Sequence, residues 1–285
     1  MSLKVDLHLH STCSDGVLTP AALVELLAAS GIGLFALTDH DTVAGLAEAG
    51  SAARAAGLAL VPGIELSASW QGRGVHVVGL GIDPGADALA GALAALASLR
   101  AERAREIALR LERAGAPGQA ALERVLRHSL PTRTHFARAL VELGAAPDPG
   151  HAFKRWLGRG RPAHVASHWP ELAATVGVIA AAGGVAVLAH PLRYPLSAGQ
   201  RRQLAHAFRA AGGTALEVVT GGAAAHQLET ATGLALRAGL EGSIGSDCHD
   251  PALPWHRPDR LAKLPEAVAP VWSRWDPTTR RALEA

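Results

Sequence analysis

The chain is poor in several residue types, and each shortage narrows what it can be. Of its 285 residues two are Cys, one Met, one Tyr and four Phe, and none is Asn. Cys13 and Cys248 cannot build a disulfide framework, which agrees with a reducing compartment. No apolar run reaches the ~18 uncharged residues of a membrane span. The N-terminus runs straight into a strand-like segment with no signal-peptide pattern. A cytoplasmic protein without a membrane role is therefore expected, and no obligate protein partner is evident. No glycine loop of the Walker type is present to cradle phosphates. Only three of 27 basic residues are Lys, which we read as compositional bias without mechanism.

What is there is enough for one large α/β domain or two ordinary ones, with a substantial core. Hydrophobic residues make up 49%, much of it Ala and Leu in helix-like runs. The net charge of +2 hides an uneven distribution. Between Ser98 and Ala163 stand thirteen Lys/Arg and six Asp/Glu, leaving fourteen against nineteen elsewhere. An acidic body that can hold cations, bearing one basic segment, points to an anionic substrate. Within that segment, residues 100–113 read as an Arg-rich solvated helix face.

Seven strand-like segments alternate mostly with helices. The first is Val5-Asp6-Leu7-His8-Leu9-His10. Alternation puts His8 and His10 on one face and Val5, Leu7 and Leu9 on the other. Thr19-Pro20 opens a helix that Gly31 stops. Gly33–Leu37, Leu58–Glu65, Val75–Leu80, Gly184–Leu188, Thr214–Val219 and Gly242–Ser246 read as the other strands, with helices near 42–56, 169–182, 197–211 and 222–238. This is the signature of a parallel α/β sheet or barrel. From about 98 to 163 no strand intervenes, and that stretch reads as a helical, basic insertion between barrel segments 1–97 and 164–285. The Pro- and Trp-rich tail after Pro251 is expected to pack against the outside.

Polar residues collect at the strand ends, where the loops of a barrel converge on one mouth. The candidates for a metal cage are His8, His10, Asp15, His40, Glu65, His76, His190, Asp247 and His249. Asp247 and His249 repeat the i, i+2 spacing of His8 and His10, and barrel closure sets first and last strands side by side. Glu65 is a carboxylate on an apolar strand, costly to bury unless compensated, and metal ligation compensates it. The two cysteines beside these residues read as small buried or loop side chains, with Cys248 facing away from Asp247 and His249.

His8-Leu9-His10 with Ser14-Asp15-Gly16, Thr38-Asp39-His40-Asp41, Gly63-Ile64-Glu65, His190-Pro191 and Ser246-Asp247-Cys248-His249 together resemble the motifs of the PHP family, named for polymerase and histidinol phosphatase domains. The resemblance covers nearly all of the chain outside the insertion. It implies a distorted (β/α)7 barrel with three divalent metal ions. By motif position one ion takes His8, His10, Glu65 and Asp247. A second shares Glu65 and adds His76 and His190. The third takes Asp15, His40 and His249. Some members carry His in place of Asp15, and a carboxylate there suits Mn²⁺, with Zn²⁺ or Fe²⁺ as the other candidates.

Clustered divalent ions acidify a shared water and neutralise phosphoryl oxygens during in-line attack, so the expected reaction is phosphoester hydrolysis without a covalent intermediate. No general acid stands out, Asp39 being the weak candidate. The insertion, with Pro131-Thr132-Arg133-Thr134-His135 and Gly158-Arg159-Gly160-Arg161-Pro162, resembles the standalone bacterial branch acting on nucleotides. That resemblance implies removal of the 3′-phosphate from nucleoside 3′,5′-bisphosphates, or 5′→3′ trimming of short RNA. Histidinol phosphate hydrolysis and a non-catalytic PHP module are less favoured, the latter because all nine ligand positions are filled. Arg133 suits bidentate phosphate binding, with His135 as a neighbouring contact. Lys154, Arg159 and Arg161 either hold a second phosphate or are solvated surface charge. Trp156 is the one Trp of the basic patch, so few stacking platforms for a long strand are evident.

Overall fold

The computed structural model describes residues 3–166 and 168–275. Seven strands, β1 (Val5–Asp6), β2 (Leu34–Leu37), β3 (Ala59–Trp70), β4 (Arg73–Leu80), β5 (Val185–Leu188), β6 (Ala215–Thr220) and β7 (Glu241–Gly245), lie in sequence order in one sheet. The sheet curls into a nearly closed barrel. Past the end of β1, Leu7 N–H donates to Ile244 O at 2.9 Å, Asp247 N–H to His8 O at 2.9 Å and His10 N–H to Cys248 O at 3.1 Å. These bonds join the first strand to the last.

The expectation of a parallel α/β sheet or barrel holds except at one strand. β4 runs antiparallel to both β3 and β5. The cause is a two-residue turn at Gln71 and Gly72, both with positive φ (49° and 69°), the geometry of a tight hairpin. β3 accordingly runs on past Glu65 to Trp70, which puts that carboxylate inside a strand instead of at its end.

Alternation sorts the apolar residues. Val5, Leu7, Leu34, Ala36, Ala59, Val61, Val78, Leu80, Val187 and Ala215 gather inside the ring of strands, together with Val271 of the tail. The tail therefore reaches the core as well as the outside. Phe35 and Leu37 face outward against helices α1 (Pro20–Ala29) and α2 (Leu46–Ala56). Leu9 joins that outer layer with Cys248, so the faces of the opening segment change register between Leu7 and Leu9. Helix α1 starts where Thr19 accepts the Ala22 N–H and Pro20 supplies a preset φ.

Helix α3 (Asp87–Arg113) carries the chain from one core to another. Leu89 and Leu96 pack with the barrel's helices, whereas Ala104, Ile107, Ala108 and Leu111 pack into a second cluster. That cluster is completed by α4 (Gly118–Val125), α5 (Arg133–Glu142), the short α6 (Pro149–Ala152) and a π-helical turn over Phe153–Leu157. Helices α7 (Leu172–Ala181), α8 (Ala198–Ala210) and α9 (Ala225–Ala238) then cover β5 to β7.

Candidate metal centre

All nine candidate ligands converge at one end of the barrel. His8 Nε2 lies 3.1 Å from His10 Nε2, 3.3 Å from Glu65 Oε2 and 3.4 Å from Asp247 Oδ1. His10 Nε2 lies 3.1 Å from Asp247 Oδ1 and 3.4 Å from Glu65 Oε2. These four residues offer one ligand atom each within a 4.8 Å sphere of mutual distance. Glu65 Oε1 faces His76 Nδ1 and His190 Nε2, each at 3.0 Å. His249 Nε2 lies 3.3 Å from Asp15 Oδ1. His40 stands between groups, with Nδ1 2.8 Å from Glu65 Oε2 and Nε2 3.8 Å from Asp15 Oδ1.

The backbone is shaped to deliver these side chains. His190 and Asp247 adopt positive φ (29° and 53°), uncommon for residues with a Cβ and costly outside a constrained site. Asp39, the candidate acid, has another task. Its carboxylate accepts Ser11 N–H at 2.7 Å, Ser11 Oγ–H at 2.6 Å and Ser14 Oγ–H at 2.5 Å. It is buried, shapes the loop that presents Asp15, and is not among the residues that line the cavity above the cluster.

Electrostatics favour cations here. Burial works to raise the pKa of Glu65, yet the imidazoles of His40, His8 and His76 hold it well below the ordinary carboxylate range. Asp247 is likewise held low against burial by His8 and His249. Burial, aided by His249 and His40, pushes His10 well below the usual imidazole value, leaving a neutral donor. Asp15 Oδ1, His40 Nδ1 and Glu65 Oε2 are buried without a hydrogen bond although oppositely charged groups stand near. Buried ligand atoms left without a hydrogen bond in this way, beside pairs such as His76–Glu65 and His10–Asp247 that do form one, fit a shared cation better than a hydrogen-bond network alone. The donor set of six imidazoles and three carboxylates is one that divalent ions accept.

Above the cluster opens a cavity of about 520 Å³, reaching Asp15, His40 and His76 at its floor. Arg73, Arg100, Arg103, Arg133, Arg159 and Arg193 supply its basic lining, joined by His164, which burial and the neighbouring arginines hold below the ordinary imidazole range and so neutral, and Phe153, Trp169 and Tyr194 supply its aromatic lining. Two of these arginines lie on the stretch read as a solvated face. Arg100 is buried, and its guanidinium sits 5.1 Å from the ring centroid of Trp169. Burial, with Arg133 and Arg100 nearby, lowers Arg103 to about 9. Helical periodicity hides such residues, because a charged residue facing a polar cavity reads like one facing water.

The insertion candidates divide. Arg133 and Arg159 line the cavity; Lys154 and Arg161 are exposed and do not. His135 is turned away from it. It is the third residue of α5, its Nδ1 accepts the Thr132 N–H at 3.3 Å, and its ring stacks on His128 at 3.8 Å. Trp156 is buried in the second core, and the aromatic side chains that reach the cavity are Phe153, Trp169 and Tyr194 instead.

The PHP domain profile matches residues 6–115. A 5′-3′ exoribonuclease of Haemophilus influenzae is 41% identical over 96% of this chain and 100% of its own length. A 3′,5′-nucleoside bisphosphate phosphatase of Chromobacterium violaceum is 42% identical over 94% and 95%. This chain belongs to the PHP family. Two solved structures share its fold. An amidohydrolase from Chromobacterium violaceum, with bound sulfate, superposes with a TM-score of 0.90 at 40% identity, covering 97% of this chain and 96% of its own. A protein assigned as a metal-dependent phosphoesterase from Bifidobacterium adolescentis gives 0.78 at 27% identity, covering 98% and 97%. The PHP protein described here is thus a metal-dependent phosphoric ester hydrolase with a distorted seven-stranded barrel.

One buried contact at the centre has no motif to announce it in the sequence. Glu217 on β6 is buried against His8, 2.6 Å from its Nδ1. The available signal was a lone carboxylate within the apolar run Ala215–Val219, the same signal that singled out Glu65.

Proposed function

We propose that this PHP protein removes the 3′-phosphate from nucleoside 3′,5′-bisphosphates, yielding a 5′-nucleotide and phosphate. The observation that carries this is the cavity: at about 520 Å³ it matches a small-molecule site, and even with Arg100 engaged by Asp41 and Arg193 by Asp247, its remaining arginines, Arg73, Arg103, Arg133 and Arg159, exceed what one phosphoryl group needs. Three divalent ions, Mn²⁺ foremost, would be held by His8, His10, Glu65 and Asp247, by Glu65, His76 and His190, and by Asp15, His40 and His249. Bound there, they supply Lewis acidity to phosphoryl oxygens and lower the pKa of water toward neutrality.

The chain's own residues position the substrate. Arg133 grips a phosphate with its planar fork, and Arg159 at the cavity rim takes part in holding the second. Burial and Arg100 lower the pKa of Arg133, so a bound dianion relieves repulsion already present between the guanidinium groups. Phe153, 5.9 Å beneath the Arg133 guanidinium, and Trp169 give apolar walls for a base. These same walls favour a second reading, 5′→3′ trimming of short RNA, since stacking tolerates any base. The residues 98–163 act in either case as a substrate cap.

The test is a substrate panel with Mn²⁺: a 3′,5′-bisphosphate, a 5′-monophosphate, a dinucleotide and a ten-mer RNA. Phosphate release from the bisphosphate at a kcat/KM well above that for the other three supports the phosphatase reading. Faster cleavage of the ten-mer supports the exonuclease reading. No phosphate from the bisphosphate overturns the first.

A further inference from the structure

One carboxylate outside the nine clustered residues touches the centre from behind. Glu217 is 2% exposed, and its two oxygens meet two different elements. Oε1 lies 2.6 Å from His8 Nδ1, and Oε2 accepts the backbone N–H of His190 at 2.5 Å. A carboxylate only accepts hydrogen bonds. His8 Nδ1 must therefore carry a proton, and its Nε2 is the atom aimed at Glu65 and Asp247.

The path between Glu217 and His8 has been kept open by the fold. Glu217 is on β6, His8 follows β1, and β7 lies between them. The contact crosses β7 at Gly245, where an added Cβ would stand 2.3 Å from His8 Cβ and 2.5 Å from Glu217 Oε1. Glycine serves here for space, since any side chain would part the pair. On the other side, the register of β6 against β7 shifts between Glu217 and Val219. Such bulges re-aim a side chain. A missing side chain and a bulge thus both serve one contact.

We infer that Glu217 is a positioning residue, fixing the Nδ1–H tautomer and ring orientation of His8 while tying it to the backbone of His190, so that one carboxylate orders candidate ligands on two distant strands. The inference rests on reading the cluster as a metal centre. The role requires a carboxylate. Glutamine offers one acceptor and one donor where two N–H groups point inward. Glu217→Gln therefore leaves the His190 N–H unpaired, or drives the His8 proton to Nε2 and blocks its donor atom.

The test compares wild type, Glu217→Gln and Glu217→Asp, each loaded with Zn²⁺, by metal analysis, chelator competition and ¹H–¹⁵N correlation of ¹⁵N-histidine-labelled protein. Wild type should show an exchange-protected Nδ1–H on His8. Glu217→Gln should hold one ion about 10–100-fold more weakly, as loss of a ligand-orienting partner does elsewhere. Glu217→Asp, which keeps two acceptors, should recover part of that loss. His8 protonated at Nε2 in wild type overturns the inference, as does unchanged affinity in Glu217→Gln. Equal loss of every ion in both variants, with a lowered melting temperature before loading, assigns Glu217 a merely structural role and overturns it too. If Glu217→Gln does not fold, the wild-type spectrum and Glu217→Asp still decide. Wild type that retains no divalent ion overturns the metal reading itself, and that arm is read before any variant.

Discussion

Arg100 Nε donates to Asp41 Oδ2 at 2.7 Å, both side chains buried, and this pair fastens helix α3 to the barrel one residue from His40. Arg100 Nη2 also donates to Ser67 Oγ at 3.0 Å, and Asp41 Oδ1 accepts the Ser67 N–H at 2.7 Å. Asp41 itself sits at φ 48°, so the turn after His40 is held in an unfavourable conformation by these bonds. Substituting Arg100→Ala leaves a buried carboxylate without its cation. The expected loss is about 3–5 kcal/mol of unfolding free energy. Urea denaturation measures it, and a loss below about 1 kcal/mol would show that the pair does not hold the two layers together.

How much of this could be read beforehand depended on the kind of signal. The clustered ligands were legible because His-x-His, Asp-x-His and a lone Glu in an apolar strand are each costly to explain otherwise. Their convergence needed only the barrel's closure. The antiparallel β4 was not legible, because Gln71-Gly72 is a weak turn signal beside Asn-Gly or Asp-Gly. Arg100 and Arg103 look solvated in the sequence because a helix facing a polar cavity keeps the periodicity of one facing water. His135 was read by its neighbours in sequence, whereas its structural partners are Thr132 and His128. Lys154 and Arg161 were charge without geometry, and only the folded insertion separates them from Arg133.

That separation is testable in the cavity. Arg133→Ala should raise KM for a 3′,5′-bisphosphate about tenfold, the order of one charge-assisted contact of roughly 1.5 kcal/mol, with a smaller effect on a monophosphate. Lys154→Ala and Arg161→Ala, both outside the cavity lining, should stay within about twofold of wild type, since exposed charges contribute little. Steady-state kinetics on the two substrates checks this. A larger effect from Lys154→Ala than from Arg133→Ala would reverse the assignment.

His135 should act on stability and leave KM alone. Its side chain completes a capping box with Thr132, so His135→Ala should cost about 1 kcal/mol. His135→Gln, which can make the same reciprocal bond, should recover most of it. The pH dependence gives a second check. Burial, with His128 adding to it, lowers His135 to about 4. A base with a depressed folded pKa contributes fully above its unfolded value near 6.5, and that contribution is lost as pH falls toward 4. Wild type should therefore lose its advantage over His135→Ala across that interval, while His135→Gln changes less. Unfolding curves at pH 7, 5.5 and 4.5 decide it, and a gap independent of pH counts against the capping role.

The third proposed ion offers the cleanest separation of sites, because Asp15 is its one carboxylate. Asp15 is held well below the ordinary carboxylate range by His249 and His40 in spite of burial, so it is anionic throughout the neutral range. Asp15→Asn keeps the volume and an acceptor for His249 but removes the charge that a hard cation seeks. Among the described residues, Asp15 belongs to one candidate group only, although its neighbours His10 and His40 also reach the other groups, whose carboxylates are Glu65 and Asp247. The expected outcome is loss of one ion per chain, with lower turnover and the remaining ions retained at wild-type affinity. Chelation of wild type should go further, abolishing activity and lowering the melting temperature; an ion at a hundred times its Kd contributes about 2.7 kcal/mol to the folded state. Metal analysis beside phosphate release checks both. If Asp15→Asn keeps the wild-type stoichiometry and rate, the three-ion arrangement is wrong, and Asp15 serves only to pair with His249.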